Sequence, residues 1–241
     1  MFEAAVVIVS ILAGGVASVT GFGIGSLLTP LLALQLDPRV AVAAISIPHL
    51  IGTGLRLSML RGHVDRRVLW TFGLTSAAGG LAGALLHNWA SSPWLTTLFG
   101  ALLVFVAVSE MIGLSQRMRF NGLVAWIAGA LSGLLGGLVG NQGGIRSAAL
   151  LGFDLRKETM VATATAIGLM VDAARMPVYF YHYHDEMAAV TMWIALATVG
   201  VVAGTVIGKR LLTRIPEVWF RRVLAVILAV LGITMLARGF G

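Results

Sequence analysis

Two glycine-rich stretches decide how this sequence is interpreted, Gly21-Phe-Gly-Ile-Gly25 and Gly136-Gly-Leu-Val-Gly-Asn-Gln-Gly-Gly144. Each lies near the middle of a longer apolar segment, the first in 3–36 and the second in 122–152. Each segment is too long for one straight helix across a hydrocarbon core of about 30 Å, which takes roughly 20 residues. Each is also too short for two complete crossings with a loop. A broken helix, or a hairpin that enters the membrane and returns, fits both segments.

The composition around these stretches indicates a membrane protein. Of the 241 residues, 58% are hydrophobic and 11% are charged, whereas a soluble domain carries about 25% charged residues. This excludes an ordinary soluble enzyme and a disordered chain. The 17 Lys and Arg residues, which give a net charge of +7, are scattered between apolar runs, so they favour membrane orientation and no nucleic-acid partner. The absence of Cys excludes disulfides, thiolate catalysis and cysteine metal sites.

The remaining apolar stretches predict an all-α polytopic membrane protein in which the lipid bilayer is the surrounding partner. Full-length candidates for membrane-spanning helices are 40–60, 67–87, 94–114, 159–180, 187–209 and 217–238. No linker or polar block of domain size separates them, so residues 1–241 are expected to form a single transmembrane transporter domain.

Landmarks in the first half of the chain return in the second half in the same order. Leu36-Asp-Pro-Arg39 returns as Phe153-Asp-Leu-Arg156, and Arg56 returns as Arg175. Several ordered matches predict a two-fold internal repeat. The predicted repeats run approximately over 3–118 and 122–239.

The positive charges predict that the second repeat is inverted relative to the first. Loops 61–67, 115–121, 152–158 and 209–222 hold twelve Lys and Arg residues, whereas Arg39 and Arg238 lie on the opposite side. The positive-inside rule then makes these loops cytoplasmic and both termini periplasmic. This holds only if each interrupted segment enters and leaves on one face. Each repeat is therefore predicted to be a re-entrant or broken helical hairpin plus three transmembrane helices.

The interrupted segments are also the predicted substrate site. Transporters with inverted repeats bind substrate near the bilayer midplane, where broken helices direct their termini at it. A helix N-terminus offers free N–H groups and a partial positive charge, which attract an anion. Ser26 is the expected cap of a half-helix that begins after Gly25. The predicted substrate-binding positions on the two hairpins are Thr20, Gly23, Gly25, Ser26, Asn141, Gln142, Gly143, Gly144 and Ser147.

Arg146 is the leading charged candidate, because a guanidinium deep in an apolar segment is costly and its planar donors match an oxyanion or a carboxylate. A structural Arg that ties carbonyl groups at the hairpin tip is the alternative. For Arg175 a substrate contact and an ion pair with Asp172, three residues earlier, stay equally open. For Arg56 the favoured interpretation is a side chain that extends to the membrane interface.

Asp172 and His49 are candidate sites for a coupling proton, with a structural ion pair as the alternative. The segment His182-Tyr-His-Asp-Glu186 could be mistaken for a metal site, but its spacing matches no specific zinc pattern. A strand-like or frayed external turn explains these polar residues equally well. We expect no catalytic residues, no metal site and no cofactor.

The hairpin Gly-x-Gly…Pro30-Leu-Leu, followed by Leu36-Asp-Pro-Arg-Val-Ala-Val-Ala-Ala, resembles the sulfite exporter TauE/SafE family. The segment Gly136–Gly144, followed by Phe153-Asp-Leu-Arg-Lys-Glu, is the second-half counterpart, and Gly62-His-Val-Asp65 is similar as well. The resemblance covers nearly the whole chain. Ser26 stands where the family has Gly, and Ala44 stands near a position that is often Thr.

The resemblance implies a bacterial inner-membrane secondary transporter for sulfite, sulfonates or related small anions, with export coupled to an ion gradient. The alternatives are a passive anion channel and a transporter of another small oxyanion or a carboxylate. A membrane-embedded enzyme would need a nucleophile–base pair or a metal cluster at membrane depth, and the sequence offers none. An accessory or receptor protein would need an extramembrane module for signalling, and the sequence offers none of these either. The expected partners are a small anionic substrate and the lipid bilayer, with protons as the coupling ion and a homodimer as open alternatives.

Overall fold

The computed structural model describes residues 1–90, 92–113, 122–140, 143, 146, 150, 153, 155–211 and 217–239. These residues form helices and turns without a β-strand, so the predicted all-α class is confirmed for them. The helices are α1 Phe2–Thr20, α2 Ile24–Leu32, α3 Pro38–Leu60, α4 Arg66–Val68, α5 Leu74–His87, α6 Ser92–Met111, α7 Leu123–Val139, α8 Lys157–Ala189, α9 Thr191–Leu211 and α10 Glu217–Gly239. A 3₁₀ turn, Arg61–His63, follows α3, and a π turn, Leu69–Gly73, joins α4 to α5.

In the part of the chain that the structure describes, five helical stretches are long and apolar enough to cross a membrane, so the chain is a multi-pass membrane protein. They are Phe2–Thr20, Pro38–His63, Arg66–His87, Glu158–Ala189 and Thr191–Gly208. The first contains the N-terminal arm of the first interrupted segment, and the other four coincide with predicted spans. The predicted spans 94–114 and 217–238 correspond to α6 and α10.

The expected external turn at His182–Glu186 coincides with a kink, where two helical stretches meet at Tyr183, which has the non-helical angles φ −129° and ψ 24°. Residues on both sides of Tyr183 are helical, so the kink lies within α8 and the helix ends at Ala189. No Gly or Pro lies between Pro177 and Ala189. The chain turns at Val190.

The first interrupted segment breaks at its glycines. Helix α1 ends where Gly21 adopts a left-handed conformation, with φ 82°, and donates its N–H to the Ala17 carbonyl. Gly23, with φ 129°, caps the N-terminus of α2. The prediction that Ser26 caps this helix is wrong, because α2 starts two residues earlier and Ser26 lies inside its first turn. A positive φ costs Gly little, so the reversal occurs at the glycines that precede Ser26.

The second interrupted segment ends its first helix in the same way. Helix α7 stops where Gly140 adopts φ 71° and donates its N–H to the Gly136 carbonyl, 3.1 Å away. Gly140 lies 119 positions after Gly21, the same interval that separates Arg175 from Arg56. Beyond this break, Gly143 and Arg146 are helical. The predicted site residues Asn141, Gln142, Gly144 and Ser147 lie outside the described residues.

Glycines bring pairs of helices into backbone contact. In the α1–α9 pair, a Cβ at Gly14 or Gly204 would overlap the carbonyl oxygen of Val201 or Ile11. In the α5–α7 pair, Gly79 and Gly83 lie equally close to the carbonyls of Ala130 and Leu134. Such close approach is how helices associate in lipid, where apolar surfaces gain little from leaving the solvent. Helices α3 and α8 pack against each other and against these pairs, and they carry Arg56, Asp172 and Arg175, which are described below.

Candidate functional site

The two helix breaks contact each other inside the bundle. A Cβ at Gly25 of α2 would overlap the carbonyl oxygen of Gly140, which ends α7. A Cβ at Gly143 would overlap the side chain of Phe22, which lies within the first break. The absence of side chains at these glycines therefore allows the contact. The structure brings together Gly25 and Gly143, which belong to the two predicted halves of the site.

Arg146, three residues after Gly143, is buried without a full set of partners among the described residues. Its side chain is 2% exposed, and among the described residues nothing accepts a hydrogen bond from its Nε or Nη1. Its guanidinium lies against α8 at Gly168, where a Cβ would stand 3.1 Å from Nη1. A buried charge whose donors lack acceptors is costly, so the site is incomplete as it stands.

Arg56 does not extend to the membrane interface, so the favoured interpretation of this residue is wrong. It is 3% exposed; its Nε donates to Thr165 Oγ1 at 2.8 Å and its Nη2 to the Gly21 carbonyl at 3.4 Å. Position near the end of a helix indicates depth but does not say which face a residue occupies, and Arg56 faces α8. In the described part of the chain its Nη1 has no acceptor.

Arg175 is fully engaged by neighbouring groups. Its Nε and Nη2 lie 3.1 and 2.8 Å from Oδ1 of Asp172, and its Nη1 donates to the Gly136 carbonyl in the last turn of α7. The guanidinium also lies over the Tyr179 ring. The other carboxylate oxygen of Asp172 is 2.6 Å from His49 Nδ1. These contacts tie α8 to α7 and α3, and they favour the structural role of Arg175 over a substrate contact.

The buried charges do not balance. Apart from histidines, the buried ionic side chains that the structure describes are Arg56, Arg146, Arg175 and Asp172. Arg146 interacts electrostatically with each of the other three. Three guanidinium groups thus face one carboxylate, and the excess is positive. Together with the unpartnered donors of Arg56 and Arg146, this excess suits the site to an anion.

The remaining predicted residues have more local roles in the described structure. The Thr20 hydroxyl bonds the backbone of Val16 and Phe22 and so helps to shape the first break. Gly23 takes the positive φ that starts α2, and Ser26 is buried on that helix.

Two further residues belong to this region and were missed from the sequence. Thr29 is buried, and its Oγ1 has no partner within the described residues; a Cβ at Gly140 would lie 3.1 Å from it. Thr29 follows Gly25 by one helical turn, which is a signal that could have identified it. Gly168 provides the space for Arg146 and precedes Asp172 on the same face of α8.

No cluster of three or more His, Asp or Glu side chains that could hold a metal ion occurs among the residues that the structure describes. The chemistry of this site is thus that of guanidinium and hydroxyl donors together with the His49–Asp172 pair. Such donors bind an oxyanion by charge-assisted hydrogen bonds.

Comparison with known proteins agrees with this chemistry. The sequence model of the sulfite exporter TauE/SafE family matches residues 6–235, which is nearly the whole chain. No curated protein and no solved structure matches it. Since the family match spans the membrane helices and both helix breaks, the chain belongs to the sulfite exporter TauE/SafE family.

Proposed function

We propose that this protein is a secondary transporter that moves a small sulfur-containing anion, sulfite or an organosulfonate, across the bacterial inner membrane. The direction we propose is export, coupled to an ion gradient. Membership of the sulfite exporter family and the five apolar helices support the class. The protein acts by binding and moving its substrate and is not an enzyme.

The observation that carries the proposal is the incomplete coordination of Arg146. Removing an oxyanion from water costs several kcal/mol, so a full positive charge near it is needed to compensate. Arg146 supplies that charge with two unpartnered donors among the described residues, and it follows Gly143, which contacts the first break, by three residues. An anion held there would accept from these donors and would offset the positive excess.

We further propose that the chain is one domain, residues 1–241, built from two inverted repeats, and that both termini are periplasmic. The helix contacts support a repeat in which α1, α3, α5 and α6 correspond to α7, α8, α9 and α10. Exchanging the halves converts the α1–α9 contact into α5–α7 and the α3–α9 contact into α5–α8, and all four contacts are present. The charge asymmetry of the loops supports the inversion and the orientation.

Protons are the coupling ion that we propose, with His49 and Asp172 as their binding pair. The 2.6 Å contact between His49 Nδ1 and Asp172 Oδ2 joins α3 to α8 across the centre of the bundle. The carboxylate also pairs with Arg175, so a proton gained or lost here would change the contacts between three charged or titratable groups. Intramembrane groups of this kind often relay protons in transporters.

A passive anion channel is the second candidate, and the same site fits another small oxyanion or a carboxylate. The tight glycine contacts α1–α9 and α5–α7 favour a packed bundle over the continuous polar pore that a channel needs.

For the assembly of the protein, we propose to test a homodimer as well as the monomer.

The test combines binding and flux. Purified protein is heated with sulfite, thiosulfate, taurine, sulfoacetate or a simple carboxylate, because a ligand that binds only the folded state raises its apparent stability. We expect a shift with at least one sulfur-containing anion and a smaller shift at the same concentration in Arg146→Gln, whereas Arg61→Gln, in an exposed turn, behaves as the wild type. The absence of a shift with every anion would contradict the proposal.

Flux into liposomes then separates a transporter from a channel. For a coupled transporter, the flux of the anion that binds saturates with concentration and responds to an imposed proton gradient. Flux that rises linearly and ignores the gradient would favour the channel.

A further inference from the structure

His87, the last residue of α5, joins three helices beside the second break. The residue is wholly buried. Its Nδ1 lies 2.6 Å from the carbonyl oxygen of Leu138, in the last turn of α7, and its Nε2 lies 3.2 Å from the carbonyl oxygen of Arg39, in the first turn of α3. The rings of Tyr179 and Tyr183 from α8 contact the imidazole edge-to-face.

The chemistry of these partners determines which form of the imidazole fits. A carbonyl oxygen only accepts hydrogen bonds, and a neutral imidazole carries one N–H. The imidazolium alone can donate to both carbonyls. In the neutral form, one ring nitrogen would direct its lone pair at a carbonyl lone pair, which is repulsive.

We propose that His87 is a proton-binding site distinct from the His49–Asp172 pair, and that its proton ties the end of α5 to both α7 and α3. Loss of the proton leaves one N–H, which stays on the closer Leu138 carbonyl, and opens the contact with Arg39. The inference rests on the two carbonyl partners and does not depend on which anion is transported.

Burial is the largest influence against the imidazolium of His87, and the two carbonyl partners oppose it. The C-terminal end of α7 carries a partial negative charge that stabilises the imidazolium. Arg39, paired with Asp37 at 3.1 Å, and Arg175 oppose it electrostatically. The tyrosine hydroxyls from α8 donate elsewhere, Tyr179 to the Gly137 carbonyl and Tyr183 to Asn88 Oδ1. A contact between His87 and the two carbonyls can respond to pH only if some neighbouring groups favour the imidazolium and others oppose it.

The position of His87 connects this proton with the candidate site. Leu138 precedes Gly140 by two residues, and Gly140 is the residue whose carbonyl meets Gly25 of α2. Loss of the proton therefore releases the start of α3 from an imidazole that stays bonded two residues from the meeting of the two breaks. The proton on His87 is thereby linked to the geometry of the proposed anion site.

The direct test is the imidazole ¹⁵N–¹H spectrum of wild-type protein in lipid nanodiscs, recorded between about pH 5 and pH 8, where an imidazole changes charge. The chain has five histidines, so single variants of the other four assign His87 by elimination, even if a His87 variant fails to fold. We expect two ring N–H signals for His87 at the acidic end and one at the alkaline end. One signal throughout, or two throughout, would overturn the proposal.

Amide hydrogen exchange in the first turn of α3, around Arg39, provides the second test, because the contact between His87 and this turn is the one that opens. At acidic pH, we expect slower exchange in wild type than in His87→Gln, and at alkaline pH we expect this difference to shrink at least twofold. Comparison at equal pH removes the intrinsic effect of pH on exchange. His63→Gln, in the exposed 3₁₀ turn, is the matched control and should follow wild type at both values. An equal difference between wild type and His87→Gln at both pH values would overturn the inference.

Discussion

The two helix breaks have the same backbone geometry, but different side-chain hydrogen bonds hold them in place. Gly21 ends α1 and Gly140 ends α7, each with a left-handed conformation and an N–H returned to the carbonyl four residues earlier. At the first break, the Gly21 carbonyl receives one long bond, 3.4 Å from Arg56. At the second break, three successive carbonyls each have a side-chain partner. The Gly136 carbonyl accepts from Arg175, the Gly137 carbonyl accepts from Tyr179, and the Leu138 carbonyl contacts His87.

This difference shows that one backbone geometry can serve two purposes. The side chains at the second break hydrogen-bond to backbone carbonyls and so hold the end of α7 in place. Arg56, at the first break, retains an Nη1 without an acceptor among the described residues, as does the neighbouring Arg146. We expect the first break and Arg146 to respond to the anion, and the second break to act as the fixed support. The following predictions test this contrast.

The largest effect is expected from Gly143→Val, which attacks the contact between the breaks. A Cβ there would overlap Phe22, so the breaks must separate, and we expect anion binding to be abolished while the protein still reaches the membrane. Gly54→Val is the matched control, because no described atom lies within 4 Å of a Cβ at Gly54. Both are measured by thermal shift with the anion that wild type binds. Retained affinity in Gly143→Val would place the site elsewhere.

Stability should distinguish the fixed break from the responsive one. Arg175→Gln leaves the carboxylate of Asp172 buried without its cation, which costs about 3–5 kcal/mol. Arg56→Gln removes two hydrogen bonds but also one excess buried charge, so we expect a smaller loss, about 1–2 kcal/mol. Denaturant unfolding of both variants in the same detergent gives the comparison. A larger loss for Arg56→Gln would reverse the assignment of the two breaks.

The substitution Arg146→Gln should reduce the affinity for the anion at least tenfold, which corresponds to about 1.4 kcal/mol of binding free energy. Arg146→Lys keeps the charge but loses the planar set of donors, so its affinity should be intermediate. A binding titration on folded, membrane-inserted variants measures both. Unchanged affinity in Arg146→Gln would make this residue a structural tie and would direct attention to Arg175.

The smallest effect is expected from Tyr179→Phe, which removes one of the three donors at the second break. The Gly137 carbonyl loses its hydroxyl partner, and we expect a loss of about 1 kcal/mol in unfolding free energy with unchanged anion affinity. Tyr181→Phe, 84% exposed, should leave the stability unchanged. A loss of affinity in Tyr179→Phe would show that this break also takes part in binding.

The sequence predicted the helices and the location of the breaks, because interruption of a long apolar run by Gly is a local signal. It did not predict the starting residue of α2 or the full length of α8, since polar residues alone do not begin or end a helix. The burial of Arg56 depends on how α3 meets α8, and the space at Gly168 depends on how Arg146 meets α8. Neither contact between distant parts of the chain has a signal in the local sequence. The roles of Asn141, Gln142, Gly144 and Ser147 stay predictions.

The π turn Leu69–Gly73 sets the angular phase of its helix. A π turn holds one residue more than the α-helix it interrupts, and each residue of an α-helix advances the rotation by about 100°. Gly73 in this turn packs against Ile167 and Met170 of α8, whereas Gly79 and Gly83 beyond it face the carbonyls of α7. Deleting a residue from the turn would rotate Gly79 and Gly83 away from α7. The extra residue therefore sets which glycines meet α7, while Phe72 in the turn also reaches Gly129 of α7 and Gly80 beyond it keeps the helix against Val171 of α8.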